Sequence, residues 1–321
     1  MGEASGNPTW QCLLICWGDK YHSEYINHTI EAVIRNSTSK PRFVLISDRP
    51  RPGLHPDVQV VDFDPWWLQK QFRTISLQAK LYMFEKGVIP DDLPTVYIDL
   101  DTAVLGDLSQ AINLLRTPKS MLMVQSVVLP FGWPGRLVYR LTNKKRYARG
   151  NSSIVVFHPS ECFYISETFK KLYEEHGGFG IRPMIGDERF ISWVAQEHIN
   201  RVPNWFGIKF LNEYMYGQKW LVYFKGLLPW VRARRDKLAV VTLPGEYVKP
   251  ELIVCYEYGY EVQDEKNRWL LCNERALGKI GLRLQEYYRP LMSKLAAIEA
   301  ENSSKDAYAP FDFNPLRSNV I

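Results

Sequence analysis

Short apolar runs that alternate with helix-periodic segments are the feature that most constrains the fold of this chain. Apolar residues recur at helical spacing over 25–35 and 77–85. Around these segments lie four runs typical of buried strands that end at polar or turn-forming residues, at 12–17, 43–46, 58–63 and 95–98. This alternation predicts an α/β fold, in which a mostly parallel sheet is flanked by helices.

The second half of the chain is less regular and is rich in aromatic side chains. The patterns predict strands and helices at five places, strands at 121–128, 153–157 and 252–256, and helices at 189–198 and 282–300. The sequence contains no internal repeat and no low-complexity linker. We therefore predict one domain over residues 1–260 and a C-terminal helical extension with a tail over 261–321.

Composition excludes several classes of protein. The chain has 40 Lys and Arg against 35 Asp and Glu, a net charge of +5, which suits nucleotides or phospholipid head groups but not nucleic acid. Its five Cys form no CxxC pair, which favours free thiols in a reducing compartment. Residues 1–10 lack the pattern of a secretory signal, and no apolar run reaches the roughly 20 residues of a membrane span. We expect a cytoplasmic protein.

Two carboxylates, Asp99 and Asp101, follow the strand predicted at 95–98 and are the most informative local feature. Buried carboxylates are costly unless a cation neutralises them, and open α/β sheets bind their ligands beyond the carboxyl ends of the strands. Oxygen ligands at that place suit Mg²⁺ or Mn²⁺ holding a diphosphate. The alternative is a polar strand end in which Asp101 only caps a turn.

Other early strands also end in residues that could bind a nucleotide. The first ends at Trp17 and Asp19, which could stack on a base and bond a ribose, and the second ends at Asp48. Lys80, on the helix before the fourth strand, is a candidate diphosphate ligand or else an ordinary solvated lysine. Because the chain has no Gly-rich phosphate loop, a metal and cationic side chains would have to hold the diphosphate.

Two later segments add polar side chains. Asn151 precedes the strand at 153–157, where it is either a ligand of the nucleotide or part of a plain turn. Asp187 and Glu188 precede the helix at 189–198. They are either ordinary carboxylates of a helix start, favoured by capping and by the helix dipole, or a pair that handles sugar hydroxyls and an anomeric centre.

The order of these pieces resembles that of the GT-A nucleotide-sugar glycosyltransferases, most nearly the family 8 type and related bacterial polysaccharide-synthesis enzymes. The resemblance covers about residues 10–260 and rests on five pieces: Cys16-Trp17-Gly18-Asp19, Ala79-Lys80-Leu81, Asp99-Leu100-Asp101, Asn151-Ser152-Ser153 and Gly186-Asp187-Glu188. It implies the Rossmann-like GT-A fold. It also implies transfer of a sugar from a nucleoside-diphosphate sugar, a UDP- or GDP-sugar, to an acceptor.

The resemblance further implies roles for individual residues. Asp99 would meet the ribose or the metal, and Asp101 would bind the metal, Mn²⁺ or Mg²⁺. The residues that would bind the donor are Trp17, Asp19, Asp48, Lys80 and Asn151. Those that would act in catalysis are Asp187 and Glu188.

Two departures from the family pattern affect these assignments. Family 8 commonly has Asp-Gln where this chain has Asp187-Glu188, so retention of configuration is the prediction and inversion stays open. Such enzymes also often carry a late His followed by Gly and Lys-Pro, which completes the metal site and grips the diphosphate. None of the six His has that setting. The nearest segments are 224–230 and 256–259, each of which could equally be a strand end or a turn, and we assign Glu257 as the third metal ligand.

Residues 219–237 mix aromatic with basic side chains. The segment could lie on an anionic membrane surface, at the inner face of the membrane, or bind a phosphorylated acceptor. It could equally be a core-facing strand followed by a solvated basic turn.

These observations together predict a metal-dependent glycosyltransferase that acts on a polysaccharide or lipid-linked acceptor, with no nucleic-acid partner. One alternative is a non-catalytic nucleotide-sugar or carbohydrate-binding protein, which the missing His would explain. The other is a nucleotidyltransferase, against which the absence of a Gly-rich phosphate loop argues.

Overall fold

The computed structural model describes residues 7–74, 77–126 and 129–305, the last five by backbone alone. Within these ranges the strands are β1 (Gln11–Cys16), β2 (Arg42–Ser47), β3 (Val58–Asp62), β4 (Thr95–Ile98), β5 (Thr102–Val104), β6 (Met121–Gln125), β7 (Gly150–Phe157), β8 (Ile199–Arg201), β9 (Gly207–Lys209), β10 (Val240–Thr242), β11 (Glu261–Gln263) and β12 (Trp269–Leu271).

The main sheet has the strand order β3-β2-β1-β4-β7-β6-β8. Strand β1 pairs in parallel with β2 and β4, strand β2 pairs in parallel with β3, and β6 does so with β8. Strand β7 is antiparallel to both of its neighbours, β4 and β6. The prediction of a mostly parallel sheet is confirmed. Because β7 runs against β4, the first residues of β7 lie at the same edge of the sheet as the residues that follow β4.

The sheet is covered on both faces. Alternate residues of β1 point to opposite sides, so Cys12 and Leu14 belong to one buried cluster and Leu13 and Ile15 to another. The α-helices of the described ranges are α1 (Ser23–Asn36), α2 (Lys70–Arg73), α3 (Trp133–Leu141), α4 (Tyr164–His176), α5 (Asp187–Val194), α6 (Phe210–Tyr214), α7 (Lys219–Leu227), α8 (Pro229–Asp236), α9 (Pro250–Ile253), α10 (Glu274–Leu277) and α11 (Ile280–Lys305).

A smaller sheet and the C-terminal helix complete the fold. Strand β10 pairs with β5 and β9, which places β10 next to the carboxylates that precede β5. Helix α11 buries Leu284, Tyr288 and Leu291 in the same cluster as Cys12 and Leu14 of β1. The predicted C-terminal helix is confirmed, and the division of the chain at residue 260 stays a prediction.

Three local predictions differ from the structure. The strand predicted at 252–256 is wrong, because Pro250 starts helix α9, where its fixed φ and missing N–H are tolerated. The strand alternative for 219–237 is also wrong, since these residues form α7 and α8. Residues 77–85 are helical, but as a 3-10 helix, Gln78–Phe84, that follows Leu77 in a left-handed conformation (φ 57°).

Other predictions concern thiols, membrane spans and the chain ends. All five cysteines are free, and Cys255 alone among them is exposed. Within the described ranges, no helix has the length and apolar character that crossing a membrane requires. Residues 127–128 of the strand predicted at 121–128, and the tail beyond residue 305, lie outside the described residues.

Candidate active site

Asp99 and Asp101 lie at the carboxyl edge of the main sheet, directly after β4. Three adjoining hollows of about 280, 380 and 430 Å³ meet there, and Asp101 lines all three. Burial of β4 on both faces fixes the position of the two aspartates, since all four of its residues are buried. The predicted cleft at this edge therefore exists as a concave surface with two carboxylates at its centre.

Asp99 is held by a buried lysine. Lys80 Nζ lies 2.7 and 2.8 Å from the two carboxylate oxygens of Asp99, and the Tyr97 hydroxyl donates to the same carboxylate. Burial favours the neutral amine, but the negative charges of Asp99 and Asp187 outweigh it and raise the pKa of Lys80 above its usual value. Lys80 is therefore a buried cation of the site and not a solvated helix lysine.

Asp101 has an unsatisfied oxygen. Its Oδ1 is buried and has no hydrogen-bond partner among the described residues. Burial and the charge of Asp99 raise the pKa of Asp101 to about 6, against the opposing charges of Lys80 and Lys20. The ionised carboxylate is thus unfavourable unless a further cation joins it.

This donor set fits a divalent cation. Mg²⁺ in particular is commonly held by one or two carboxylates and completes its coordination with substrate phosphates and water. Asp101, with its free Oδ1, and Asp99 would hold the ion. Within the described part of the chain, no group of three or more His, Cys, Asp or Glu side chains is placed to bind a metal.

Asp187 begins helix α5 and faces the same cleft. It follows Gly186, whose extended backbone leads into the helix, and only 5% of its surface is exposed. Ser152 Oγ, from the start of β7, donates to Asp187 Oδ2 at 2.6 Å. Burial raises the pKa of Asp187 to about 6, although Lys80 and the Ser152 hydroxyl lower it. A fraction of Asp187 is therefore protonated just below neutral pH.

Glu188 is the more accessible carboxylate of the pair. Asn151 Nδ2 donates to its Oε2 at 3.3 Å, and Asn151 Oδ1 accepts from the backbone N–H of Ser153 at 3.2 Å. Both residues line the hollow of about 380 Å³ together with Asp99 and Asp101. The antiparallel pairing of β7 with β4 thus brings Asn151, Glu188 and the two aspartates to one cavity.

Of the three nucleotide ligands predicted after the first two strands, one lines the cleft and two do not. Trp17 lines the hollow that contains Asp99 and Asp101. Within the described residues, neither Asp19 nor Asp48 lines any of the three hollows around Asp101. Asp19 is an exposed side chain paired with Arg49 at 2.5 Å.

Asp48 supports the turn that carries Trp17. Its carboxylate accepts from the backbone N–H of Gly18 at 3.0 Å and pairs with Arg51 at 3.1 Å. Burial would raise the pKa of Asp48, but hydrogen bonds from Arg49 and Gly18 and the charge of Arg51 hold it below its usual range. Because its oxygens are used in this way, Asp48 scaffolds the cleft rather than lining it.

Glu257 lines a different cavity from the two aspartates. That cavity is largely apolar and includes Phe210 and Leu284, and none of its lining residues lines the hollows around Asp101. The assignment of Glu257 as third metal ligand therefore stays a prediction that no shared hollow supports.

A segment that the sequence analysis overlooked lies beside Asp101. Residues 243–246 and 249–251, which include Gly245 and the pair Lys249-Pro250, line the hollow of about 430 Å³ with Asp101. The backbone N–H of Leu243 donates to the Asp101 carbonyl oxygen at 3.1 Å. The signal was the Gly and Lys-Pro of the family pattern, which went unrecognised because Thr242 and Leu243, not His, precede them.

Further side chains at the cleft carried a weaker sequence signal. Lys20 and Tyr21 follow the Trp17 turn and line two of the hollows around Asp101. Lys209, at the end of β9, is half-buried; burial lowers its pKa, and the charges of Glu188 and Asp101 partly offset that effect. Neither lysine belongs to a recognisable motif.

Two basic residues of 219–237, Arg234 and Arg235, turn inward. Arg235 is buried, and its Nε donates to Glu213 Oε1 at 2.8 Å, while Arg234 pairs with the same carboxylate. The outer surface of this segment is instead apolar, because four large side chains are exposed there, Trp220, Phe224, Leu227 and Trp230.

Two solved structures share this architecture. The galactosyltransferase LgtC, solved with donor and acceptor sugar analogues, matches with a TM-score of 0.50 and 14% sequence identity, over 87% of this chain and 95% of LgtC. The chain has the GT-A fold. The bifunctional glycosyltransferase WbbM matches with a TM-score of 0.50 and 13% identity, over 90% of this chain and 52% of WbbM.

The sequence itself carries no closer relationship. No protein-family model matches the chain, and none of the curated proteins matches it. At 13–14% identity, the two likenesses establish the fold alone, and membership of family 8 stays a prediction.

Proposed function

We propose that this protein is a divalent-metal-dependent glycosyltransferase that moves a sugar from a nucleoside-diphosphate sugar to a glycan or lipid-linked acceptor. The observation that carries the proposal is the buried Asp101 Oδ1, which has no partner among the described residues and lies in a hollow shared with Asp187 and Glu188. When bound, a divalent cation would neutralise the diphosphate as it leaves.

The donor lies along the sheet edge. Trp17 and Tyr21 offer aromatic faces for the base, and Lys20 and Lys249 line the hollow next to Asp101, where the diphosphate would lie. Lys80 holds Asp99 in place through both carboxylate oxygens. These side chains would bind the donor or hold its ligands in position, and such positioning lowers part of the barrier to group transfer.

The transferred sugar lies between the aspartates and helix α5. Asp187, buried and bonded to Ser152, binds sugar hydroxyls, and Glu188 lies beside the anomeric carbon. The amide of Asn151 occupies one oxygen of Glu188 and so orients the other. We propose retention of configuration, with Glu188 stabilising positive charge that develops on the sugar.

Incubation with a panel of nucleotide sugars and Mn²⁺ tests the function, with free nucleoside diphosphate as the readout. Release that needs Mn²⁺ and is lost in Asp101→Asn supports the proposal. The matched control is Asp92→Asn, because that carboxylate is exposed, pairs with Arg42 and precedes β4, at the end of the strand opposite the cleft. Donor binding without release indicates a non-catalytic binding protein, and release of pyrophosphate indicates a nucleotidyltransferase.

A lipid-linked acceptor would place the protein at an anionic membrane surface, and the apolar face of α7 and α8 would make the contact. Trp220 and Trp230 are 63% and 68% exposed, and tryptophan favours the membrane interface. Arg235 is not available for lipid head groups because it is buried against Glu213.

A further inference from the structure

Helix α3 presents a row of apolar side chains to solvent. Trp133, Leu137 and Leu141 recur every four residues along the helix, and they are 75%, 47% and 75% exposed. Gly135 and Tyr139, on the opposite side of the helix, are buried. A helix at the surface of a globular protein ordinarily turns its apolar stripe inward. The reverse arrangement in α3 therefore indicates a surface that contacts a partner.

The inner side of α3 fixes the helix to the main sheet. A Cβ added to Gly135 would lie 3.2 Å from the Ala148 Cβ and 2.5 Å from the Pro130 carbonyl oxygen, so the helix lies directly on the chain that enters β7. Arg136 donates to Asn200 Oδ1 of β8 at 3.2 Å. The exposed apolar row thus belongs to a helix whose other side is already packed.

Lys144, Lys145 and Arg146 form a basic turn directly after the helix. Their side chains are exposed, and none of them makes a hydrogen bond or an ion pair with another described residue. The backbone N–H of Lys144 donates to the Tyr139 carbonyl oxygen at 2.8 Å, and that of Arg146 donates to Thr142 Oγ1 at 3.0 Å. The turn is therefore closed against the last residues of α3, which places three positive charges at the end of the apolar row.

Positive charge dominates the stretch of chain that contains α3. Residues 108–160 hold eight Lys and Arg and no Asp or Glu, whereas the whole chain has 40 against 35. An exposed apolar row beside basic residues is typical of a helix that lies in the interface of an anionic membrane. There, tryptophan and leucine reach the acyl boundary, and lysine and arginine meet the head groups.

The size of the surface favours lipid over a protein partner. A nine-residue helix is about 14 Å long, and three side chains on it cover far less than the roughly 800 Å² that each partner buries in a stable protein complex. Membrane binding has no such threshold, because it grows with the buried apolar area and with each basic residue near the lipid.

We infer that α3 and the basic turn bind an anionic membrane surface, with the apolar row in the interface and the basic turn at the lipid head groups. This contact goes beyond the proposed function, because lipid binding requires no sugar transfer. It supplies positive charge that the apolar face of α7 and α8 does not gain from Arg234 and Arg235, since both pair inward with Glu213.

Sedimentation of the full-length protein with vesicles tests the inference. Vesicles of phosphatidylcholine are compared with vesicles in which part of it is replaced by phosphatidylglycerol. We expect the protein to bind the anionic vesicles more tightly by roughly tenfold or more at low salt, and this preference should weaken as salt is added.

A charge variant locates the preference in the basic turn. Lys144→Gln combined with Lys145→Gln and Arg146→Gln should weaken binding to anionic vesicles on the order of a hundredfold, because each basic residue contributes about fivefold. Binding to neutral vesicles should not change. The control removes the same charge at three exposed residues elsewhere and should keep the preference: Lys86→Gln, Lys266→Gln and Arg289→Gln.

A fluorescent label tests whether the apolar row enters the lipid. Cys255 alone among the five cysteines is exposed, so Cys255→Ser provides a background in which Leu141→Cys can carry an environment-sensitive dye. Its emission should shift to shorter wavelength with anionic vesicles. The matched control is Gln59→Cys, an exposed position on β3, which lies at the opposite edge of the main sheet from β8. A label there should not respond.

Four results would overturn the inference. One is a charge variant that still prefers anionic vesicles, and another is a label at Leu141 that responds no more than the label at Gln59. A wild-type dimer that Leu137→Ser with Leu141→Ser converts to monomers, at unchanged lipid binding, would assign the row to a second copy of this chain. Loss of the preference in Trp220→Ser with Trp230→Ser, which changes no charge, would assign the contact to α7 and α8. Sugar transfer enters none of these measurements, so the proposed function stands or fails separately.

Discussion

Replacing Asp101 by asparagine should stabilise the metal-free protein and abolish its stabilisation by Mn²⁺. The amide keeps the shape of the side chain but carries no charge, so it removes the unfavourable ionised carboxylate from the buried site. It also removes the negative charge that a cation at this oxygen would neutralise.

The size of the effect follows from the pKa of Asp101. That pKa is about 6 in the folded protein against 3.8 for the unperturbed group, a difference of about 2 units. At about 1.4 kcal/mol per unit, the folded state loses on the order of 3 kcal/mol when Asp101 ionises. Since 1 kcal/mol moves the Tm of a 150–250-residue domain by about 2–4 °C, the variant should unfold several degrees higher.

The effect has a defined pH window. Between pH 4 and 6 the unfolded chain releases the Asp101 proton before the folded chain does, so the folded state binds more protons there. The contribution of Asp101 to the free energy of unfolding of the wild type therefore falls as pH rises through this range. The advantage of the variant should be absent near pH 3.5, grow from pH 4 to 6 and be complete above pH 7.

Thermal unfolding with and without Mn²⁺ measures both effects. The control is Asp92→Asn. Asp92 is an exposed carboxylate paired with Arg42, and the hydrogen bond from Arg42 lowers its pKa. That variant should lose a little stability and keep the full Mn²⁺ shift. The reasoning would be refuted if Asp101→Asn were no more stable than the wild type at pH 7.5, or if Mn²⁺ still raised its Tm.

Three other changes have expected outcomes. Under retention, Glu188→Gln should slow turnover moderately, because the amide oxygen still offers partial negative charge; a loss of 10²–10⁴-fold, with inversion seen by NMR of the product, would indicate a general base. Lys80→Met should cost about 3–5 kcal/mol of stability in denaturant titrations, since it leaves buried carboxylates unpaired, whereas the exposed Lys86→Met should cost almost nothing. Trp220→Ser combined with Trp230→Ser should reduce sedimentation with anionic vesicles, and unchanged binding would exclude this face as the membrane contact.

The sequence was sufficient to predict the sheet and the position of its polar edge. Continuous apolar runs identify buried strands directly, and Asp99 and Asp101 follow one of them, β4, whose four residues are all buried. What the sequence did not reveal was the pairing of Lys80 with Asp99. That contact depends on the tight 3-10 turn after Leu77, whose positive φ is rare for a residue with a side chain.

The wrong strand at 252–256 has a physical origin. These residues have the apolar content of a short strand, and a short run cannot be distinguished from a buried helix by periodicity alone. Pro250 favours a helix at this place, because proline fits the first turn of a helix. Ile253 of that helix packs into the core.

The hydrogen bond from Leu243 to Asp101 restricts how the cleft can open. Leu243 is buried, and its backbone N–H donates to the carbonyl oxygen of Asp101. The chain therefore cannot move away from Asp101 at Leu243 without breaking that hydrogen bond. Motion of the segment that carries Lys249 would therefore begin after Leu243, at Pro244 and Gly245. Gly245 already has a φ of 108°, which only glycine adopts readily. Any such motion would therefore pivot beside Asp101, whose carbonyl oxygen stays bonded to the N–H of Leu243.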